Sequence, residues 1–203
     1  MIKAVFFDFD GVLTRNGNGS VQTCQYLAKE TGLDAQKLID CHYKQGLDLL
    51  LGKKSYADIW SEFCACVGTN INEDLLEPAF LSTPENSEMF NLASKVRAVA
   101  KVGVITDNAK ERFEAVSRKF ELAKRFDTLM LSADIGALKG EEAIFDAALR
   151  AVGVLPEEAV FIDNTQKNLV MPQKMGMATI FFDCKKNDVV GLAAELRSLG
   201  LDV

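Results

Sequence analysis

The feature that most constrains the fold is a series of short, almost wholly apolar runs in a chain of 203 residues. They are Val5-Phe6-Phe7 near the start, then Val102–Thr106, Thr128–Leu131, Val160–Asp163 and Thr179–Phe182. Each is too short for a helix and shows no alternation of apolar and polar residues. Such runs read as strands buried on both faces. Amphipathic segments lie between and after the last four, at Lys110–Phe120, Glu141–Val152, Gln166–Met175 and Val189–Leu199. Strand–helix alternation of this kind predicts an α/β fold, a parallel sheet with helices on both faces. Val5–Phe7 has the same character, needs neighbours, and joins that sheet.

The stretch from Arg15 to Asn86 contains no strand-like run and reads as helical throughout. Ser20 is placed to cap a helix that ends near Gly32. Ser55 followed by Asp58 resembles a capping box. Behind it Tyr56, Ile59, Trp60, Phe63 and Val67 recur at helical spacing, a stripe that reads as core packing. Pro78 and Pro84 mark the end of the stretch, and Gly17-Asn18-Gly19 reads as a hinge at its start. The chain therefore divides into residues 1–14 and 87–203, an α/β core, and residues 15–86, a small all-α insert placed after the first strand.

Composition narrows the partners. The chain carries 23 Lys and Arg against 29 Asp and Glu, a net charge of -6. Binding to nucleic acid or an anionic membrane rests on clustered basic residues, so neither is expected as a partner. A small phosphorylated molecule remains compatible, because a metal ion can supply local positive charge. The five cysteines form no Cys-x-x-Cys and no zinc-type cluster with the single histidine. They read as free thiols in a reducing compartment. No secretory or membrane-spanning run is visible, so the expected location is cytoplasmic.

In doubly covered parallel sheets, ligands bind beyond the carboxyl ends of the strands. Three of the expected strands end in short polar residues: Asp8-Phe9-Asp10-Gly11, Thr106-Asp107-Asn108 and Asp163-Asn164. Asp8 and Asp10, two residues apart, leave the same face if the strand continues that far, and two such carboxylates want a cation. Mg²⁺ is suited to the task because it takes oxygen ligands and shares its shell with phosphate. His42 reads as a solvated or packing residue, and Lys53-Lys54 as solvated turn charges.

The run Val5-Phe6-Phe7-Asp8-Phe9-Asp10-Gly11-Val12-Leu13-Thr14 resembles the first motif of the haloacid dehalogenase-like (HAD) superfamily. Three further motifs follow in the family's order. Thr106 ends an apolar strand, Lys139 follows Ser132–Leu138, and Asp163-Asn164 closes the run Val160–Ile162. Asn164 departs from the usual Asp-Asp, and Gly140 stands where many relatives have proline.

The resemblance implies a Rossmann-like core with a helical C1-type cap. It also implies an Mg²⁺-dependent phosphatase acting on a small phosphorylated metabolite such as a sugar phosphate. By this resemblance Asp8 is the nucleophile that forms an aspartyl phosphate, and Asp10 the general acid and base. Thr106, Asn108 and Lys139 bind the phosphoryl group. Asp8, Asp10 (through its carbonyl) and Asp163 hold Mg²⁺, with Asn164 behind them acting through water. A phosphomutase and a non-catalytic phospholigand-binding protein stay open as alternatives on the same scaffold. A dehalogenase is disfavoured, because those relatives lack the acid that Asp10 supplies.

Overall fold

The apolar runs form the sheet they predict. The computed structural model describes the whole chain, Met1–Val203. Strands β1 (Ala4–Phe7), β2 (Lys101–Thr106), β3 (Thr128–Leu131), β4 (Ala159–Asp163) and β5 (Ala178–Phe181) make a five-stranded sheet in the order β3-β2-β1-β4-β5. Every pairing is parallel, and β1 lies at the centre between β2 and β4. Successive side chains on a strand face opposite ways. Val5 and Phe7 accordingly join one apolar cluster with Val104 and Ile162, while Ala4 and Phe6 join another with Ile105 and Phe161. Burial of both faces explains why these strands show no polar alternation.

Helices α1 (Gly19–Thr31), α2 (Ala35–Leu50), α3 (Tyr56–Val67) and α4 (Leu76–Leu81) occupy the stretch after β1. Then come α5 (Ser87–Arg97), α6 (Lys110–Phe120), α7 (Leu122–Arg125), α8 (Ser132–Ile135), α9 (Glu142–Val152), α10 (Val170–Met175) and α11 (Val189–Ser198). The first four build an apolar cluster of their own, which includes the expected stripe Tyr56, Ile59, Trp60, Phe63 and Val67. Ala109 and Ala115 join it, so this helical segment rests on α6.

The chain enters and leaves the segment along paired paths. Thr14 and Glu85 form an antiparallel bridge, and Arg15 N–H donates to the Pro84 carbonyl at 3.1 Å. Asn86 N–H donates to the Leu13 carbonyl at 2.9 Å, and its side-chain amide donates to that of Val12 at 3.0 Å.

Four local expectations change. Asn18, not Ser20, caps α1, accepting from Val21 N–H at 3.1 Å, because the helix begins at Gly19. Gln166–Met175 splits into a 3₁₀ turn at Gln166–Leu169 and the short α10. Strand β1 stops at Phe7, and Phe9–Leu13 turns as a single wide coil. The cysteines are not all free: Cys41 on α2 is joined to Cys66 on α3 by a disulfide, leaving Cys24, Cys64 and Cys184 as thiols. Two residues 25 apart in sequence meet only through helix packing, which the spacing of the cysteines cannot reveal. Free thiols therefore no longer argue for a reducing compartment. No helix is long and apolar enough to cross a membrane.

The capping box is formed as expected: Ser55 Oγ accepts from Asp58 N–H, and Asp58 Oδ2 accepts from Ser55 N–H at 2.8 Å. Replacing Ser55 by alanine should cost about 1 kcal/mol of stability, read by chemical denaturation.

Candidate active site

The strand order places β1 at the point where the chain reverses direction across the sheet, moving first to β2 and β3 and later to β4 and β5. A crevice opens there beyond the carboxyl ends. It is a cavity of about 470 Å³ between the sheet edge and the helical segment. Asp8, Asp10, Thr106, Asn108, Lys139 and Asn164 all line it. Asp163 ends β4 fully buried, in direct contact with Lys139.

Asp8 follows β1 directly. Its Oδ1 accepts from Phe9 N–H at 2.7 Å and from Lys139 Nζ at 2.8 Å. The same Lys139 ammonium, 3% exposed, donates to Asp163 Oδ2 at 2.7 Å. Lys139 is held in place by its own backbone N–H, which donates to Asp107 Oδ1 at 3.0 Å. Asp163 is oriented by Thr165 N–H at 2.7 Å and by the Asn168 side-chain amide.

Asp10 lies in the coil after β1 rather than on a continued strand. The side-chain carboxylates of Asp8 and Asp10 therefore do not share one cation. The Asp10 carboxylate is gripped at both oxygens by Arg112 of α6, each at 2.8 Å, and Oδ2 also accepts from Asn108 Nδ2 at 3.0 Å. Gly11 makes the turn possible at φ +87°, and a Cβ there would lie 2.3 Å from the Asn164 side-chain amide. The Asn164 amide is assigned with its nitrogen toward acceptors. It then donates to Asp8 Oδ2 at 3.3 Å and to the Asp10 carbonyl at 3.1 Å.

Burial and neighbouring charge act together on these groups. Burial alone would lower Lys139, but Asp8, Asp163 and Asp107 together hold it well above the ordinary lysine range. For Asp8 burial is the largest influence and raises the carboxyl; Lys139 opposes it and Asp163 adds to it. Asp107 is likewise raised, chiefly by burial. One ammonium among three carboxylates leaves this side of the site with excess negative charge.

That excess is the test of fit for a divalent cation. Asp8 Oδ2, the Asp10 carbonyl and Asp163 offer hard oxygens of the kind Mg²⁺ takes, and the first two are approached by one neutral amide. No group of three His, Cys, Asp or Glu side chains gathers to hold a metal. Two carboxylates and a carbonyl make up the fitting set, because the Asp10 side chain is committed to Arg112.

Arg112 was not legible among the candidate residues. It is 2% exposed, and removing one partner of such a buried pair costs about 3–5 kcal/mol. The available signal was only its place in the first turn of α6, directly after the strand end Thr106-Asp107-Asn108. Asn108, expected at the phosphate, lines the cavity, and its side-chain amide bonds to Asp10 and to Arg112 Nη1 at 3.0 Å. Its geometry fits an orienting role. His42 is buried against Tyr56, with Nε2 and the phenol oxygen 2.9 Å apart, and lines the cavity. Lys54 lies near Asp48 and Gln45 and does not line the cavity.

A family model described as "Haloacid dehalogenase-like hydrolase" matches residues 5–182. The chain belongs to the haloacid dehalogenase-like hydrolases. It is 34% identical over 74 residues to bifunctional epoxide hydrolase 2 of Mus musculus, covering 36% of this chain and 13% of that protein. It is 35% identical over 82 residues to glyceraldehyde 3-phosphate phosphatase of Pyrococcus furiosus, covering 39% and 34%. The matches span about a third or less of these curated relatives. The HAD-family enzyme bt-2542 of Bacteroides thetaiotaomicron, in complex with magnesium and inorganic phosphate, superposes with a TM-score of 0.75 at 20% identity. That superposition covers 91% of this chain and 96% of the other.

Burial, followed by the nearby Arg112 charge, lowers His42 to about 4 from an ordinary value near 6.5. The unfolded chain therefore binds this proton more readily. Stability from the neutral ring is full above pH 6.5 and falls as pH drops toward 4. The loss should approach about 3 kcal/mol, and be absent from His42→Gln, in denaturation at stepped pH.

Proposed function

We propose that the protein is an Mg²⁺-dependent phosphatase of a small phosphorylated metabolite, with Asp8 as nucleophile and Asp10 as general acid and base. The observation that carries this reading is the paired arrangement at the end of β1. Asp8 faces Lys139 and the metal-type oxygens, and Asp10 lies two residues on in the same cavity with its own cation. A dehalogenase needs no proton donor for its leaving halide, whereas a phosphate ester must protonate an alkoxide. The presence of Asp10 therefore favours phosphoryl transfer. Residues 15–86 act in this reading as a cap over the cavity.

An Asp8 carboxylate oxygen forms a bond to phosphorus as the ester P–O bond breaks, and Asp10 gives its proton to the departing oxygen. Water then attacks the aspartyl phosphate, losing its proton to Asp10, and phosphate leaves with Asp8 restored. Lys139 lowers the repulsion between carboxylate and phosphoryl oxygens. Thr106, at the end of β2 on the cavity wall, offers a hydroxyl to a phosphoryl oxygen. Bound Mg²⁺, held by Asp8, the Asp10 carbonyl and Asp163, would supply positive charge against the transferring group.

Phosphate release from p-nitrophenyl phosphate and a panel of sugar and other metabolite phosphates tests this. Turnover should require Mg²⁺, stop with chelator, and fall at least about 10³-fold in Asp8→Asn, since that variant lacks the attacking carboxylate. A folded protein that turns over nothing with Mg²⁺ present would leave phospholigand binding as the better account. A second variant tests the departure in the fourth motif. Asn164→Asp adds a charge beside two proposed metal oxygens, so half-saturating Mg²⁺ should fall by about tenfold or more.

A further inference from the structure

Arg112 is unusual for a residue outside the family motifs. It stands on a core helix, yet its guanidinium reaches the point where both chain crossings meet the site. Nη1 and Nη2 hold the two Asp10 oxygens at 2.8 Å. Nη2 also contacts Thr83 Oγ1 at 3.3 Å, just before the return crossing to α5. On the outward crossing, the face of the guanidinium lies against Gly19, the first residue of α1. A Cβ at Gly19 would come within 2.1 Å of the Arg112 Cζ. One buried side chain thus touches the start of the helical segment, its end, and the proposed general acid. Its remaining donor, Nε, is buried without a partner, so the grip on Asp10 is set by the fork and its packing.

We propose that Arg112 is a positioning residue whose guanidinium aims the Asp10 carboxylate and ties that aim to the seating of the helical segment on the core. The inference rests on the phosphatase reading for what Asp10 does, but the tie is a mechanical property of the fold. Two parallel N–H···O bonds fix the plane of a carboxylate as well as its position, which one ammonium cannot do. Thr83 and Gly19 in turn fix the fork. A shift of the helical segment against the core must move Gly19 or Thr83, and with them the carboxylate plane. The glycine at position 19 then has a packing reason beyond hinge freedom, since any side chain would displace the guanidinium.

Leaving-group dependence separates this role from a merely structural one. p-Nitrophenolate departs without a proton, whereas an alkoxide requires the acid. Asp10→Asn sets the reference pattern. Arg112→Met and Arg112→Lys should share it, losing about 10²-fold in kcat/KM on a simple alkyl phosphate and less than about threefold in kcat/KM on p-nitrophenyl phosphate. The ratio kcat/KM reports only the steps through release of the leaving group, and the later hydrolysis assisted by Asp10 is common to both substrates. Gly19→Ala changes no charge and suits a helix, and should show the same bias at about tenfold. Equal losses on both substrates across these variants, as a smaller folded fraction produces, would overturn the proposal. Hydrogen exchange provides a readout independent of activity. Amides of Arg15 and Asn86 should exchange faster in Gly19→Ala and Arg112→Met while α9 keeps its protection. Unchanged exchange at both crossings overturns the tie. If the wild type releases phosphate from neither substrate, the phosphatase reading falls and exchange alone judges the mechanical claim.

Discussion

Negative charge crowded at the ends of three neighbouring strands is the constraint on which the site depends. Asp8, Asp10, Asp107 and Asp163 converge where β1, β2 and β4 stop, largely out of water. Unpaired carboxylates in such a place would destabilise the fold, so each must find a cation or a donor. The protein divides the task. Lys139, delivered by the loop before α9, serves Asp8 and Asp163 and is pinned through its backbone by Asp107. Arg112, delivered by α6, serves Asp10. The division gives the two carboxylates of the first motif different surroundings, which is what different chemical roles require.

The helical segment is bound to the same arrangement. It rests on α6 through Ala109 and Ala115, the helix that carries Arg112. A further contact comes from Ser132 Oγ, which donates to the Leu50 carbonyl at 2.7 Å and accepts from Asn108 N–H at 3.1 Å. The wall of the cavity and the polar groups at its floor therefore share supports. His42 and Tyr56 are buried together at this boundary, and burial followed by the nearby Arg112 charge disfavours a second cation on the histidine.

Membership of the haloacid dehalogenase-like hydrolases fixes the scaffold and the reaction class only broadly, because relatives of this fold attack different bonds. The discrimination rests on single residues: an acid at position 10, a lysine between two carboxylates, and an asparagine where a second acid is usual. Asn164 is informative in this respect. Its amide satisfies Asp8 Oδ2 and the Asp10 carbonyl without adding to an already excessive negative charge.

The sequence by itself determined the sheet and the helical stretch after its first strand, and it pointed to polar residues that gather at the strand ends. Apolar runs such as Val5–Phe7 can be stable only when covered on both faces, and functional residues at strand ends inherit their place from the strands. Asp8, Thr106 and Asp163 were legible for that reason, and Lys139 by its place in the order of the motifs. Only the tertiary structure decided what depends on where a helix side chain arrives. Arg112 comes from 102 positions away to reach Asp10, and Asn108 joins that pair through its side-chain amide. Cys41 finds Cys66 across two packed helices. Local periodicity reports which face of an element is buried, but not which element it is buried against. The partners of charged and polar groups are set by that second fact.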